Sequence, residues 1–272
     1  MPNDISKKIK EDLEKVGFPA EVAVSSDLEK EDWIVYNGAL FEDDNEDKTR
    51  EIDVHAVSVD FAFSDSVKNK PRLGNENKLI SHLIIEVKKS EKPWIFFDNA
   101  RPNWPQIPIQ NFKSKEKDIP NMFDDLTELG LKSHRYLKTK LHKSYHVAFT
   151  KPSEPSMIFE ALVKASKALN FFKKHYGIGG YSLHLFTPVV VFDGNLWSAT
   201  LDKKGKVKLK KADHLFVLFG QLTKDENEKI AYEEDQICDV VTREAFMEYL
   251  GIIKSDNKEV YKAWTTFINS KP

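Results

Sequence analysis

Apolar positions recur at about helical spacing near the N-terminus, where Ile5, Ile9, Leu13 and Val16 predict an amphipathic helix over residues 4 to 16, closed by Gly17 and Pro19. The pattern then changes period. Trp33 to Phe41 and Glu51 to Phe63 are rich in β-branched and aromatic residues and predict two strands across an acidic turn holding Asp43, Asp44, Glu46 and Asp47. A polar loop from Ser64 to Lys78 follows, and Leu79 and Ile80 open a third strand reaching Glu86. From Glu91 to about Pro120 the density of Pro, Trp and Asn predicts an irregular aromatic segment. Ile158, Leu162, Ala165, Leu169 and Phe172 line one face of a long helix over 155 to 176, ended by Gly177, Gly179 and Gly180. Beyond it, Pro188 to Phe192 reads as a buried strand, Asp193-Gly194-Asn195 as a hairpin turn, and Leu196 to Leu201 as its return. Leu215 to Phe219 and Ile237 to Val241 are further candidate strands, and short helices over 243 to 252 and 257 to 269 finish the chain.

The strand period of two gives this pattern chemical content, because alternate side chains share a face. In Arg50-Glu51-Ile52-Asp53-Val54-His55, the residues Glu51, Asp53 and His55 point one way. In Ile84-Ile85-Glu86-Val87-Lys88-Lys89-Ser90, the residues Glu86, Lys88 and Ser90 share a face with Ile84. Pairing of the two strands would bring Asp53 and Glu86 together as hard oxygen ligands, with Lys88 one pleat along. Such ligands suit magnesium or manganese, and a lysine beside the metal can orient the attacking water or offset charge growing in a phosphodiester transition state. The competing reading is an edge strand with solvated charges. Glu-x-Lys occurs three times, at Glu46, Glu76 and Glu86, and only the last is preceded by an aliphatic run, Leu83-Ile84-Ile85.

These strands, together with the helix end Leu13-Glu14-Lys15-Val16-Gly17-Phe18, resemble the PD-(D/E)XK nuclease superfamily, whose members include restriction endonucleases, repair nucleases and Holliday-junction resolvases. The likeness is carried by Arg50-Glu51-Ile52-Asp53 and Ile85-Glu86-Val87-Lys88-Lys89-Ser90, and weakens beyond residue 90. It implies an α/β fold with a restriction-endonuclease-like α-β-β-β-α-β core and a mixed central sheet. The chain would be one domain over 1 to 272, its core spanning about 4 to 200 and its C-terminal strands and helices elaborating it. Carried over by position, the resemblance makes Asp53, Glu86 and Lys88 the catalytic residues. The metal, Mg2+ or Mn2+, would be held by Asp53, Glu86 and the carbonyl of Val87, with Glu51 and Ser90 in support. Two departures stand out: Ile52 occupies the place of the motif's proline, and the helix glutamate of many members is undecided among Glu11, Glu14 and Glu21, with Glu14 chosen.

Composition narrows the function classes. At 272 residues with 40% apolar residues the chain can bury a substantial core, and no apolar run is long enough for a membrane helix. The lone cysteine, Cys238, sits in an apolar stretch and reads as a buried thiol in a cytoplasmic protein. A net charge of −2 leaves local patches to decide the partner. Lys132, Arg135, Lys138, Lys140 and Lys143, interleaved with His134, Tyr136 and His142, form one basic segment and Lys203 to Lys211 a second; either can neutralise phosphates or be a solvated surface. Trp94 and Trp104 offer base stacking, or packing over the sheet edge. The expectation is therefore a metal-dependent nuclease acting on DNA. Relatives that dimerise add a homodimer, and the alternative is a catalytically silent fold that binds nucleic acid or protein.

Overall fold

The computed structural model describes residues 2–15, 17–43, 46–60, 78–98, 112–113, 134–135, 140–151, 156–176, 182–224 and 230–270. It is a mixed α/β structure with a large mixed sheet and few helices. Helix α1 spans Pro2–Lys15 and α2 spans Phe18–Lys30. The strands β1 (Ile34–Asp43), β2 (Lys48–Asp60), β3 (Lys78–Lys89), β4 (Trp94–Asp98), β5 (Phe112–Lys113) and β6 (Leu141–Val147) precede the long helix α3 (Met157–His175). After α3 come β7 (Ser182–Asp193), β8 (Leu196–Leu201), β9 (Val207–Lys211), β10 (His214–Lys224), β11 (Ile230–Thr242) and helix α4 (Phe246–Ser270). Along the sheet the order is β1-β2-β3-β7-β11-β10-β6-β4-β8-β9, with β5 pairing β7. The first three strands are antiparallel to one another, and β3 runs parallel to β7.

Helix α2 replaces the expected stop after Gly17. Pro19 lies in its first turn, where a missing amide costs nothing, and Ala20, Val24 and Leu28 recur every four residues as its buried stripe. It stops at Asp32, whose φ of 63° turns the chain so that Trp33 N–H donates to Leu28 O at 3.0 Å. Ala20, Val24 and Leu28 pack with Val54, Ala56, Leu83, Ile85, Val87, Val189, Val191 and the start of α4 on one face of the sheet. On the other face lies α3. Its Ser156 cap accepts from Phe159 N–H, and Ile158, Ala161, Leu162 and Ala165 meet Val190, Phe192, Val217 and Val240. The sheet curls around this helix, since Trp94 of β4 stacks on Phe192 of β7 with ring centroids 4.0 Å apart although three strands separate them in the sheet order.

Several boundaries differ from the sequence pattern for identifiable reasons. The Pro- and Trp-rich segment contains β4, because the prolines flank but do not enter Trp94–Asp98. The Asp193-Gly194-Asn195 turn does not return β8 onto β7; β8 pairs instead with β4 and β9. A Cβ at Gly194 would come within 2.5 Å of both Ser90 O and the Phe192 ring, so this turn is packed against the end of β3. The two closing helices are one. The polar Ser255-Asp256-Asn257 run is inside α4, with Asp256 and Asn257 buried and Asp256 held by Arg135. Phe61 to Phe63, most of the 64 to 78 loop and the glycines 177, 179 and 180 lie outside the described residues.

Candidate active site

The antiparallel ladder of β2 and β3 ends at Val54↔Ile85, and the next facing positions are Asp53 and Glu86. There the strands part. Asp53 Oδ2 accepts the Val87 N–H at 2.7 Å, taking the donor that a further ladder bond would have used. A strand residue's N–H and C=O point to the same neighbour, so the Val87 carbonyl also turns toward the Asp53 edge. Gly38 faces Asp53 from β1 with φ of 60°, and the packing changes sides at this point. Ile52 joins Phe41, Leu169 and Phe186 on the α3 side, whereas Val54 and Ala56 pack beneath α2. Glu51 is consequently turned to solvent and does not share a face with Asp53 and His55, contrary to simple strand parity.

Glu86 is fully buried, an expensive place for a carboxylate without a partner. Two ammonium groups meet it. Lys88 Nζ touches its Oε1, and Lys164 Nζ, from α3, lies 3.0 Å from Oε1 and 2.7 Å from Oε2. Lys164 also reaches Asp53 Oδ1 at 3.2 Å, so one ammonium bridges both carboxylates. Lys164 does not align a donor on Oε2, which is left as a buried oxygen without a hydrogen bond. Burial first, and the nearby charge of Asp53 second, hold the Glu86 carboxyl above the ordinary carboxylate range, against the opposing pull of Lys88 and Lys164. Burial works against the charge of Lys164, but Glu86 and Asp53 outweigh it and its pKa is raised.

Glu21, at the start of α2, belongs to the same electrostatic group. Its pKa is raised by partial burial and by Asp53, while Lys88 and Lys164 lower it. Of the glutamates offered by the sequence it is Glu21 that faces this site; Glu11 is exposed on α1, and the side chain of Glu14, the sequence-based choice, lies outside the described residues. Two carboxylates and two ammonium groups thus meet here, and Glu21 lies near enough to feel their charge. Lys164 escaped the sequence reading because α3 looked like a core helix with lysines interspersed. The missed signal was the spacing of Lys164 and Lys167, one turn apart on one face: Lys167 reaches Asp43 at 2.6 Å and Glu46 at 3.3 Å.

The remaining expected residues are placed elsewhere. Ser90 Oγ accepts the Lys92 N–H at 3.0 Å and serves a turn. His55 is buried and approaches His82 at 3.2 Å, which in turn approaches His184 at 3.0 Å. In the first basic segment the structure turns Arg135 inward. Arg135 is held by Asp239 at 3.2 Å and Asp256 at 2.5 Å, with its side chain only 8% exposed. His134 and His142 are buried, and Lys140 pairs with Asp98 at 2.5 Å. Lys143 is exposed; Lys132, Tyr136 and Lys138 lie outside the described residues. Trp94 is fully buried against Phe192 and is unable to stack on a base; Trp104 is outside the described residues. Cys238 is buried, and burial pushes its thiol well up, away from nucleophilic use.

No family model matches the chain, and neither the curated proteins nor the solved structures yield a match. The reading of the site therefore rests on its own chemistry. Among the described residues no three His, Cys, Asp or Glu side chains converge as a ready metal cage. Two carboxylates already bridged by a cation, with a buried oxygen lacking a donor, fit a different kind of site. Magnesium commonly takes one or two carboxylates and completes its shell with water and substrate phosphate. No helix among the described residues is long and apolar enough to cross a membrane.

Proposed function

We propose that the protein is a metal-dependent nuclease of the PD-(D/E)XK kind, hydrolysing phosphodiester bonds in DNA. The observation that carries this reading is the meeting of Asp53, Glu86 and Lys88 where β2 and β3 part, with both carboxylates sharing one cation. The element order supports it. Helix α2, strands β1, β2 and β3, then helix α3 and the parallel strand β7 follow an α-β-β-β-α-β sequence, with β4, β5 and β6 inserted before α3.

Asp53, Glu86 and the Val87 carbonyl would hold Mg2+ or Mn2+, whose chemistry is to polarise a phosphoryl oxygen and ease ionisation of water. The chain's own groups have separable tasks. The Val87 amide fixes the Asp53 carboxylate in one rotamer. The burial of Glu86 keeps bulk water from its oxygens and strengthens every nearby charge interaction. Lys88, with 26% of its side chain exposed, is the group able to reach a substrate phosphate or an attacking water from within the site. Lys164 and Glu21 set the balance of charge around them.

The test is cleavage of supercoiled and linear DNA by the purified chain with Mg2+, Mn2+ or EDTA. Metal-dependent cleavage lost in Glu86→Ala and in Lys88→Ala, with fold retained by circular dichroism, is the expected outcome. Wild-type protein that cuts no DNA in either metal would sink the proposal and leave the silent binding fold.

A further inference from the structure

The end of the sheet carries a basic ribbon that the metal site does not use. Strand β9 is the edge strand, and it pairs with β8 from Trp197↔Lys211 to Leu201↔Val207. On its other side β8 is joined to β4 only from Leu196 to Ala199. Beyond Ala199 the hairpin is therefore two strands wide, with no third strand among the described residues. Its turn is built tightly: Gly205 has φ of 74°, and Asp202 Oδ1 accepts the amides of Lys204 at 2.8 Å and Lys206 at 2.9 Å. That carboxylate is committed to the backbone of the turn.

Every residue from Lys203 to Lys211 is exposed, six of those nine are lysines, and none is acidic. Among the described residues none of these lysines makes an ion pair. A single lysine is enough to discourage edge-to-edge strand pairing. Six, unneutralised, create a field instead. Lys208 and Lys210 stand on one face, about 6.8 Å apart along the strand. The other face leaves Leu201, Val207 and Leu209 in water at 63%, 54% and 54% exposure. A strand of duplex DNA carries a phosphate about every 3.4 Å along its axis, so alternate phosphates match the lysine spacing.

We infer that the β8–β9 ribbon is the surface on which duplex DNA docks, with the Lys208 and Lys210 face and the turn lysines laid on the phosphates. The choice of DNA over other polyanions rests on the phosphodiesterase reading above. Binding of a fluorescent duplex to the full chain in EDTA, followed by anisotropy across a salt series, tests it without cleavage. Replacing Lys203, Lys206, Lys208 and Lys210 with Gln is expected to weaken binding at least about tenfold. It should also flatten the slope of log K against log salt by about three to four. The unfolding midpoint should not change, since all four side chains are in water. A charge-matched control with Lys7, Lys30, Lys151 and Lys262 changed to Gln should retain both affinity and slope. Equal losses in the two variants, an unchanged slope in the ribbon variant, or ribbon-dependent capture of phosphatidylserine vesicles with no DNA binding would each overturn the inference. Retained metal-dependent cleavage in that case would leave the metal site standing; a wild-type chain that binds DNA through the ribbon but never cuts it would overturn the nuclease reading alone.

Discussion

Lys164 is the residue that turns two acidic side chains into a site. Without it Glu86 would be a buried carboxylate facing Asp53 with only Lys88 for relief. Breaking a buried ion pair is costly because the surviving charge stays out of water, about 3 kcal/mol in comparable settings. Lys164→Met is therefore expected to lower the stability of the metal-free protein by about that amount, read from urea denaturation. Added Mg2+ should shrink the difference, since it would replace the missing positive charge. Unchanged stability in EDTA would show that the bridge contributes little. At this scale Asp53, Glu86 and Lys88 were legible from strand parity and an aliphatic run. Lys164 was not, and Glu21 stood only as one of three glutamates with Glu14 preferred, because each lies on a helix whose facing is decided by packing against a sheet that local periodicity does not describe.

At the scale of elements, the strands β2, β3 and β7 share a feature beside the site: His55, His82 and His184 form a hydrogen-bonded row across them, with His82 stacked on Phe186 at 4.3 Å. Burial lowers His55 to about 4, and burial together with its two histidine neighbours lowers His82 to about 2. The sign follows directly. Both rings stay neutral in the fold, whereas in the unfolded chain they take up protons below about pH 6.5. Their contribution is complete above that pH and is lost as pH falls toward 4, by about 1.4 kcal/mol per pH unit for each ring. Buried His134, lowered to about 2, and His214, lowered to about 4, act in the same direction. The raised carboxyls of Glu86 and Asp256 oppose them. Urea midpoints are expected to fall between pH 7 and pH 5, and less steeply in His82→Phe, which keeps the ring stack and removes one titration. Equal slopes in the two proteins would contradict the burial of a neutral His82. Strand positions were legible here because β-branched runs mark them. Helix α2 and the unbroken α4 were hidden: the first has a weak stripe of Ala20, Val24 and Leu28, and the second crosses Asp256, which only its tertiary partner Arg135 makes compatible with a buried helix.

Across the whole molecule, charge is divided by task. Acidic and basic groups cancel at junctions, as where Arg135 joins β11 to α4 and where Arg243, in the turn between β11 and α4, reaches Asp27 of α2 at 2.6 Å. Opposite charges also meet around Glu86, whereas the lysine ribbon at the far end of the sheet order has no ion pair among the described residues. The sequence showed both runs of charge but not that the fold would turn Arg135 inward. The segment containing Arg135 and the segment from Lys203 to Lys211 read alike until Asp239 and Asp256, more than a hundred residues beyond Arg135, are seen to claim it. The central claim is that Asp53 and Glu86 bind a divalent cation together. Calorimetric titration of the full chain with Mn2+ tests it most directly, comparing wild type with Asp53→Asn and Glu86→Gln under conditions where all three are folded. A binding event in the wild type that is lost in both variants is the predicted result; absence of binding in the wild type, or binding unchanged by either substitution, would contradict the account.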